Sequence, residues 1–128
     1  MNAYANNGAI TTINFYSGGA GCGEDTSTDA YCGLYEVMEF VFATSAKNVK
    51  FNPYYTTDML HVMAYGYNED GALISSSACS LANPNGNAEC SVNNGGPIKK
   101  LRLSLNPSFS LLFARFRVYQ IVYTPLSC

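Results

Sequence analysis

The amino-acid sequence predicts an all-β protein, built as an antiparallel sandwich of two sheets. The strongest evidence comes from residues 98–105 and 112–123, where the side-chain pattern repeats with the period of two that is typical of strands. β-Branched and aromatic residues are frequent there, and prolines stand at the ends of these stretches, at Pro97, Pro107 and Pro125. Residues 96–125 therefore predict two long strands that pair as a hairpin, with a tight connection at 106–108.

The rest of the chain carries further strand patterns. In residues 9–16, Ile13 and Phe15 alternate with Thr12 and Asn14. Residues 17–33 are predicted to form a long loop. The other strands are predicted at 34–44, 47–52, 59–67, 72–77 and 88–93, and Asn68-Glu69-Asp70-Gly71 is a turn signal that joins 59–67 to 72–77 as a hairpin. About eight strands at such regular spacing favour a jelly-roll sandwich.

Length and composition predict one domain, residues 1–128, in which residues 1–8 form a polar N-terminal arm. Hydrophobic residues make up 48% of the chain, which is enough for a buried core. Charged residues make up 12%, about half the usual share, so the polar surface must come from Asn, Ser, Thr, Gly and Tyr. Such surfaces are common on secreted and adhesive proteins. A net charge of −2 gives no reason to expect nucleic acid as a partner.

The five cysteines predict two disulfides and one unpaired residue. Pairing Cys22 with Cys32 and Cys79 with Cys90 would close two short loops, although sequence alone leaves other connectivities open. Disulfides indicate an oxidising compartment, and hence an extracellular or cell-surface protein. Cys128 could pair with another chain or be a spare end. A zinc site is not expected, because Cys-x-x-Cys spacing is absent and His61 is the single histidine.

The sequence predicts no membrane span. Its most apolar run, residues 37–43, is short and is interrupted by Glu39. Residues 1–10 lack the basic start and apolar block of a signal peptide. For a secreted protein, the targeting segment is therefore expected to be missing from this chain.

Residues 62–123 carry a resemblance to a known family. They contain AYGYNEDGALISSSA, then GGPIKKLRLSL, then FARFRVYQIVY. This order resembles the second half of the galactose-binding-like β-sandwich domains of bacterial extracellular proteins, and it covers about half of the chain. The resemblance implies a carbohydrate-binding module. The closing strand, however, has Phe116-Arg117-Val118-Tyr119 where that family has an acidic pair, so calcium or sugar contacts at that place are not carried over.

The sequence offers no catalytic set, so the protein is not expected to be an enzyme. Glu36 and Glu39 would lie on opposite faces of a strand, because their spacing is odd, and could not flank one glycosidic bond. His61 could act as a general base, but a single histidine in the sequence does not reveal a nucleophile–histidine–acid arrangement. A partly exposed strand residue is the simpler interpretation of this histidine.

The loop at 23–29 suggests a calcium site as the single cofactor to consider. Its carboxylates are hard oxygen ligands of the kind that calcium prefers, and they belong to Glu24, Asp25 and Asp29. The loop lacks the spacing of a known calcium-binding motif. The alternative is a solvated loop that is closed by Cys22 and Cys32.

Two groups of residues are candidates for contact with a ligand or partner. If the strands at 98–105 and 112–123 pair, a basic patch beside Tyr119 and Tyr123 could bind a sugar acid or a partner's carboxylates. Its cations would come from Lys100, Arg102, Arg115 and Arg117. Aromatic platforms for sugars could come from Tyr54, Tyr55, Tyr65 and Tyr67. The alternatives are a solvated charged face and ordinary cross-strand packing.

The first functional hypothesis is a non-catalytic structural subunit of an extracellular assembly such as a fibre, pilus or surface layer. Strands 34–44 and 59–67 carry apolar residues in both alternate sets, and surplus apolar surface favours a homo-oligomer or polymer. The arm at 1–8 could add a strand to a neighbour's sheet edge. The alternative hypothesis is a monomeric, lectin-like carbohydrate-binding module with a glycan as its partner.

Overall fold

The protein is described by a computed structural model, which covers residues 10–16, 22–25, 29–33, 36–54, 60–80, 90–92, 96–107 and 115–125. Within these ranges the chain forms nine β-strands. They are β1 (Ile10–Tyr16), β2 (Gly23–Asp25), β3 (Asp29–Gly33), β4 (Val37–Tyr54), β5 (Leu60–Tyr67), β6 (Leu73–Ser80), β7 (Cys90–Val92), β8 (Ile98–Pro107) and β9 (Arg115–Pro125).

All strand pairs are antiparallel, and the 18-residue strand β4 organises them. The first half of β4 pairs with β1 on one side and β8 on the other, and β5 and β6 follow β8. We call these five strands the first layer. The second half of β4 pairs with β7 and β9, and β3 and β2 follow β9. We call this set, which shares β4 with the first, the second layer.

The change of layer takes place at the middle of β4. There the alternation of buried and exposed residues breaks, because Ala43 and Thr44 are both exposed while Ser45 and Ala46 are both buried. Ala46 pairs with Ile98 of β8 and also with Pro125 of β9, so it belongs to both layers. Asn48, with a φ of 53°, adopts the left-handed conformation that Asn tolerates better than most residues. The strand can therefore bend from one layer into the other.

The core consists of the inward-facing residues of both layers. Met38, Phe40, Leu101 and Leu103 are fully buried in the first layer. From the second layer come Val49, Phe51, Phe116, Val118 and Ile121. The rings of Phe42 and Tyr123 meet with their centroids 5.1 Å apart and add an aromatic contact between β4 and β9.

The antiparallel two-layer sandwich that the sequence predicts is confirmed. The predicted hairpin at 59–67 and 72–77 is present as β5 and β6, with Gly71 at a φ of 84° in the turn. Asn68 closes this turn, since its side-chain oxygen accepts hydrogen bonds from the N–H groups of Asp70 and Ala72. The jelly-roll order of the strands stays a prediction.

The predicted pairing of residues 96–125 as a hairpin is wrong. β8 pairs with β4 and β5, whereas β9 pairs with β3 and β4, so the two strands lie on opposite sides of β4. A period of two shows which side chains face the core, but it does not identify the neighbouring strand. Residues 108–114, which include Ser108 of the predicted tight connection, lie outside the described ranges.

Two other predictions need correction. The predicted loop at 17–33 contains the short hairpin of β2 and β3. The separate strands predicted at 34–44 and 47–52 are parts of the single strand β4. The bend at its centre exposes neighbouring residues in pairs, and this broken alternation resembles a strand end in the sequence.

Two disulfides join parts of the sandwich. Cys22 and Cys32 are linked across the β2–β3 hairpin, and Cys79 of β6 is linked to Cys90 of β7. Both predicted pairs are therefore present, and they indicate an oxidising compartment. In the described part of the chain, no helical segment has the length and apolar character needed to cross a membrane.

Candidate functional site

The outer surface of the first layer carries a band of tyrosines and charged side chains. In the strand register, Arg102 of β8 lies between Glu39 of β4 and Tyr65 of β5. One step along β8 on the same side, Lys100 lies opposite Tyr67 of β5. Residues two apart on a strand share a face, and the residues between these face the core. We use the name tyrosine face for the set Tyr16, Glu39, Tyr65, Tyr67, Lys100 and Arg102.

Glu39 is the buried centre of the tyrosine face. It is 4% exposed, although it lies on the outer side of the sheet. Its Oε1 accepts a hydrogen bond of 3.1 Å from the phenol of Tyr16. Its Oε2 lies 3.7 Å from Nε of Arg102 and 3.9 Å from Nζ of Lys100. Both carboxylate oxygens are thus engaged, which is what burial of a charge requires.

Tyr16 is held in its neutral, hydrogen-bonding form. The hydrogen bond to Glu39 and the negative charge of that carboxylate raise the pKa of Tyr16 above its ordinary 10.0, while the positive charge of Arg102 opposes this shift. The phenol therefore remains a donor to Glu39 at physiological pH. Tyr16 is 51% exposed, so its ring also remains accessible to a ligand.

Each cation of the tyrosine face lies over an aromatic ring. Cζ of Arg102 is 5.8 Å from the centroid of the Tyr16 ring, and Nζ of Lys100 is 5.3 Å from that of Tyr67. Cation–π contacts of this length favour one position of the long cationic side chains. The rings on β1 and β5 therefore flank the two cations between them.

Smaller polar residues extend the band across the layer. Asn14 of β1 lies next to Glu39, and Ser76 of β6 lies next to Tyr65. Together with Arg102 these residues offer donors and acceptors in one row that crosses five strands. The arrangement can stack a flat apolar surface on tyrosine and hydrogen-bond the polar groups around its edge.

The structure brings together three of the predicted contact residues, Tyr65, Tyr67 and Arg102. Arg117 is elsewhere, on β9 of the second layer, where its Cζ lies 5.1 Å from the centroid of the Tyr31 ring. Tyr54 pairs with Arg117 in the backbone register. The remaining predictions lie outside the described residues or side chains, namely the side chains of Tyr54, Arg115 and Tyr119, and the whole of Tyr55.

A single basic patch built from both long strands is not formed. Lys100 and Arg102 point outward from the first layer, whereas Arg117 belongs to β9 of the second. The patch would require β8 and β9 to be neighbours, and β4 lies between them. These three cations therefore lie on two separate surfaces. Lys100 and Arg102 are on the first layer, and Arg117 is on the second.

Sequence reasoning did not identify Tyr16 or Glu39 as site residues. Glu39 is the single charge in the apolar run 37–43, which was a detectable signal, but its partners lie on β1 and β8. Glu36 precedes β4 and is fully buried, with Oε1 3.8 Å from Sγ of Cys22. This is a contact without a hydrogen bond, since that sulfur is bonded to Cys32. The two glutamates thus have different surroundings.

The predicted calcium site is not tested. The backbone places Asp25 opposite Asp29 at the end of the β2–β3 hairpin, with Glu24 beside them. The side chains of all three lie outside the described part of the structure, as do Cys128 and the arm at 1–8. Among the residues described, no three His, Cys, Asp or Glu side chains gather as a metal site would need.

No protein-family model matches the chain, and no curated protein matches it. One solved structure that it resembles is a glycoside hydrolase family 43 arabinoxylan arabinofuranohydrolase from Bacillus subtilis in complex with cellotetraose, at 11% identity and a TM-score of 0.48. The match covers 91% of this chain and 25% of that one. The resemblance to galactose-binding-like domains stays a prediction.

Proposed function

We propose that the protein is a non-catalytic, extracellular carbohydrate-binding module that binds glycan on the tyrosine face. The observation that carries the proposal is the Tyr16–Glu39–Arg102 cluster on an outer sheet surface that Tyr65 and Tyr67 border. Sugar rings have apolar C–H faces that stack on tyrosine, and their hydroxyl groups need hydrogen-bond partners around the edge. The tyrosine face supplies both kinds of contact.

The state of Glu39 favours binding over catalysis. Glycoside hydrolysis typically uses two carboxyl groups on either side of the scissile bond. Among the described outward-facing residues of the five first-layer strands, Glu39 is the single carboxylate, and both of its oxygens have partners. Its role in the proposal is to hold Tyr16, Lys100 and Arg102 in position.

A glycan panel with two matched tyrosine variants tests the proposal. We expect the wild-type protein to bind a subset of glycans and Tyr65→Ala to bind them about tenfold more weakly, a loss of about 1.4 kcal/mol. Tyr31→Ala is the control, because Tyr31 lies beside an arginine in the second layer. Circular dichroism would check that both variants fold. Absence of binding across the panel, or equal losses in both variants, would contradict the proposal.

A structural subunit of an extracellular assembly is the second candidate. Within the described residues, β1 pairs with β4 alone, so one edge of this seven-residue strand is open to strand addition. The apolar surface that would support assembly is limited, since the exposed large hydrophobic side chains of the described residues are scattered over three strands, as Tyr16, Leu73 and Val122. Sedimentation velocity tests this candidate. Polymers that are lost on deleting residues 1–8 would favour it, and a monomer would exclude it.

A further inference from the structure

We infer that the glycan bound by the tyrosine face carries an acidic group, either a carboxylate or a sulfate. The inference rests on the proposed carbohydrate-binding function and adds to it the chemical class of the sugar. It is based on the excess of positive over negative charge between the tyrosine rings, and on the exposure of the positively charged side chains to solvent.

The tyrosine face has more positive than negative charge. Lys100 and Arg102 are two cations, and among the described residues their one ionic partner is Glu39. A positive charge therefore remains on a protein whose formal net charge is −2. Local positive potential on an otherwise acidic chain favours an anionic ligand at this place.

The two cations also keep donors for a ligand. Their side chains are 37% and 41% exposed, whereas the side chain of Glu39 is 6% exposed, so solvent reaches the cations and not the carboxylate. The distances of 3.9 Å and 3.7 Å to Oε2 are longer than hydrogen bonds. Because Nε is the atom of Arg102 nearest to Glu39, the planar fork of terminal nitrogens is available for two parallel hydrogen bonds to an anionic group.

The rings on both sides of the cations favour a sugar acid over an acidic peptide. Tyr16 on β1 and Tyr65 on β5 are separated by three strand spacings, about 14 Å, with Arg102 on the strand between β4 and β5. This spacing suits a short oligosaccharide that stacks rings at its ends and places an acidic group in the middle. A peptide that binds by strand addition needs free backbone groups, and β8 in the middle of the layer is paired on both sides.

The experiment compares pairs of glycans in which one member carries acidic groups and the other does not. Titration calorimetry would measure the affinity for an oligogalacturonate and its methyl ester, and for sulfated and unsulfated forms of one oligogalactan. We expect at least one acidic form to bind about tenfold more tightly than its neutral counterpart. This preference should decrease with added salt and be lost in Arg102→Gln and Lys100→Gln. It should persist in Lys47→Gln, a control that removes an exposed cation from the second half of β4.

The outcomes separate this inference from the proposed function. Equal affinity for acidic and neutral forms overturns the inference and leaves the carbohydrate-binding function in place. A preference for the acidic form that survives both Arg102→Gln and Lys100→Gln also overturns it. Binding of polyglutamate as tightly as oligogalacturonate overturns the assignment to sugars. Absence of binding to every glycan overturns both. Circular dichroism would show whether Arg102→Gln or Lys100→Gln fails to fold. If one of them does, the other variant still tests the inference.

Discussion

At the scale of single residues, Glu39 determines the electrostatics of the tyrosine face. It is a buried carboxylate that accepts a hydrogen bond from a phenol and lies beside two cations. Buried charges are tolerated where their oxygens have partners, and the removal of one partner leaves the other charges uncompensated. The properties of Tyr16, Lys100 and Arg102 should therefore all respond to a change at position 39.

The pKa of Tyr16 should fall when Glu39 loses its charge. Glu39→Gln keeps an oxygen that can accept the phenol's hydrogen bond but removes the negative charge that raises the pKa of Tyr16. Tyrosinate absorbance, taken as the difference from Tyr16→Phe in each background, measures this pKa. Glu69→Gln, in an exposed turn, is the control and should leave it unchanged.

The same pKa predicts the direction of a stability change with pH. The pKa of Tyr16 is raised in the folded state. Its hydrogen bond therefore contributes fully to the free energy of unfolding at pH values below the unfolded-state pKa of about 10. This contribution is lost as the pH rises through the higher pKa of the folded state. The stability difference between wild type and Tyr16→Phe should therefore shrink in strong alkali. A difference that grows with pH above this range would contradict the assigned hydrogen bond.

At the scale of elements, Gly66 of β5 lies close to buried side chains of both layers. A methyl group on Gly66 would lie 2.8 Å from Cδ1 of Ile98 and 3.3 Å from Cγ1 of Val92, which belongs to β7. Both neighbours are buried, so they have little space into which to move. Glycine at this position therefore lets β5 pack against β7 and β8.

Gly66→Ala should lower the free energy of unfolding by about 1–3 kcal/mol, the usual cost of overpacking a core. Ile98→Val removes the methyl group nearest to the added one, so Gly66→Ala should cost less in that background. A double-mutant cycle by urea denaturation measures this coupling. Additive costs would show that the added methyl group does not contact Ile98.

How far the sequence predicts the structure depends on whether a feature is local. The β5–β6 hairpin was predictable because Asn68 and Gly71 encode its turn directly. The partners of β8 and β9 were not, since alternation indicates which face is buried and gives no information on which strand is adjacent. The same limit applies to the candidate site. Tyr65 and Arg102 could be proposed from residue type, whereas the Tyr16–Glu39 hydrogen bond depends on the register of β1 against β4.

At the scale of the whole molecule, the second disulfide holds the two layers together along one side. Within the described residues, Cys79 lies on β6, an edge strand of the first layer, and Cys90 lies on β7, an edge strand of the second. The hydroxyl of Ser77 donates a 3.0 Å hydrogen bond to the carbonyl oxygen of Ser91 nearby. The other disulfide, in contrast, joins two strands that already pair with each other.

Removal of either disulfide should destabilise the protein. The cysteines are separated by 10 and 11 positions, and loops of this length correspond to about 3 kcal/mol each in the chain-entropy model. Thermal melting of Cys22→Ser/Cys32→Ser and Cys79→Ser/Cys90→Ser, each compared with wild type, measures the two losses. Comparable decreases in Tm are expected. An unchanged Tm in either double variant would show that its bridge does not stabilise the fold.

The proposed function places the ligand on the outer surface of the first layer. Chemical-shift mapping of the amide groups during titration with the tightest glycan from the panel would locate the bound ligand. We expect the largest shifts at the outward-facing positions of β4, β5 and β8, led by Glu39, Tyr65, Tyr67 and Arg102. Shifts concentrated instead around Tyr31 and Arg117 on the second layer would place the binding site on the opposite side of the sandwich and contradict the account.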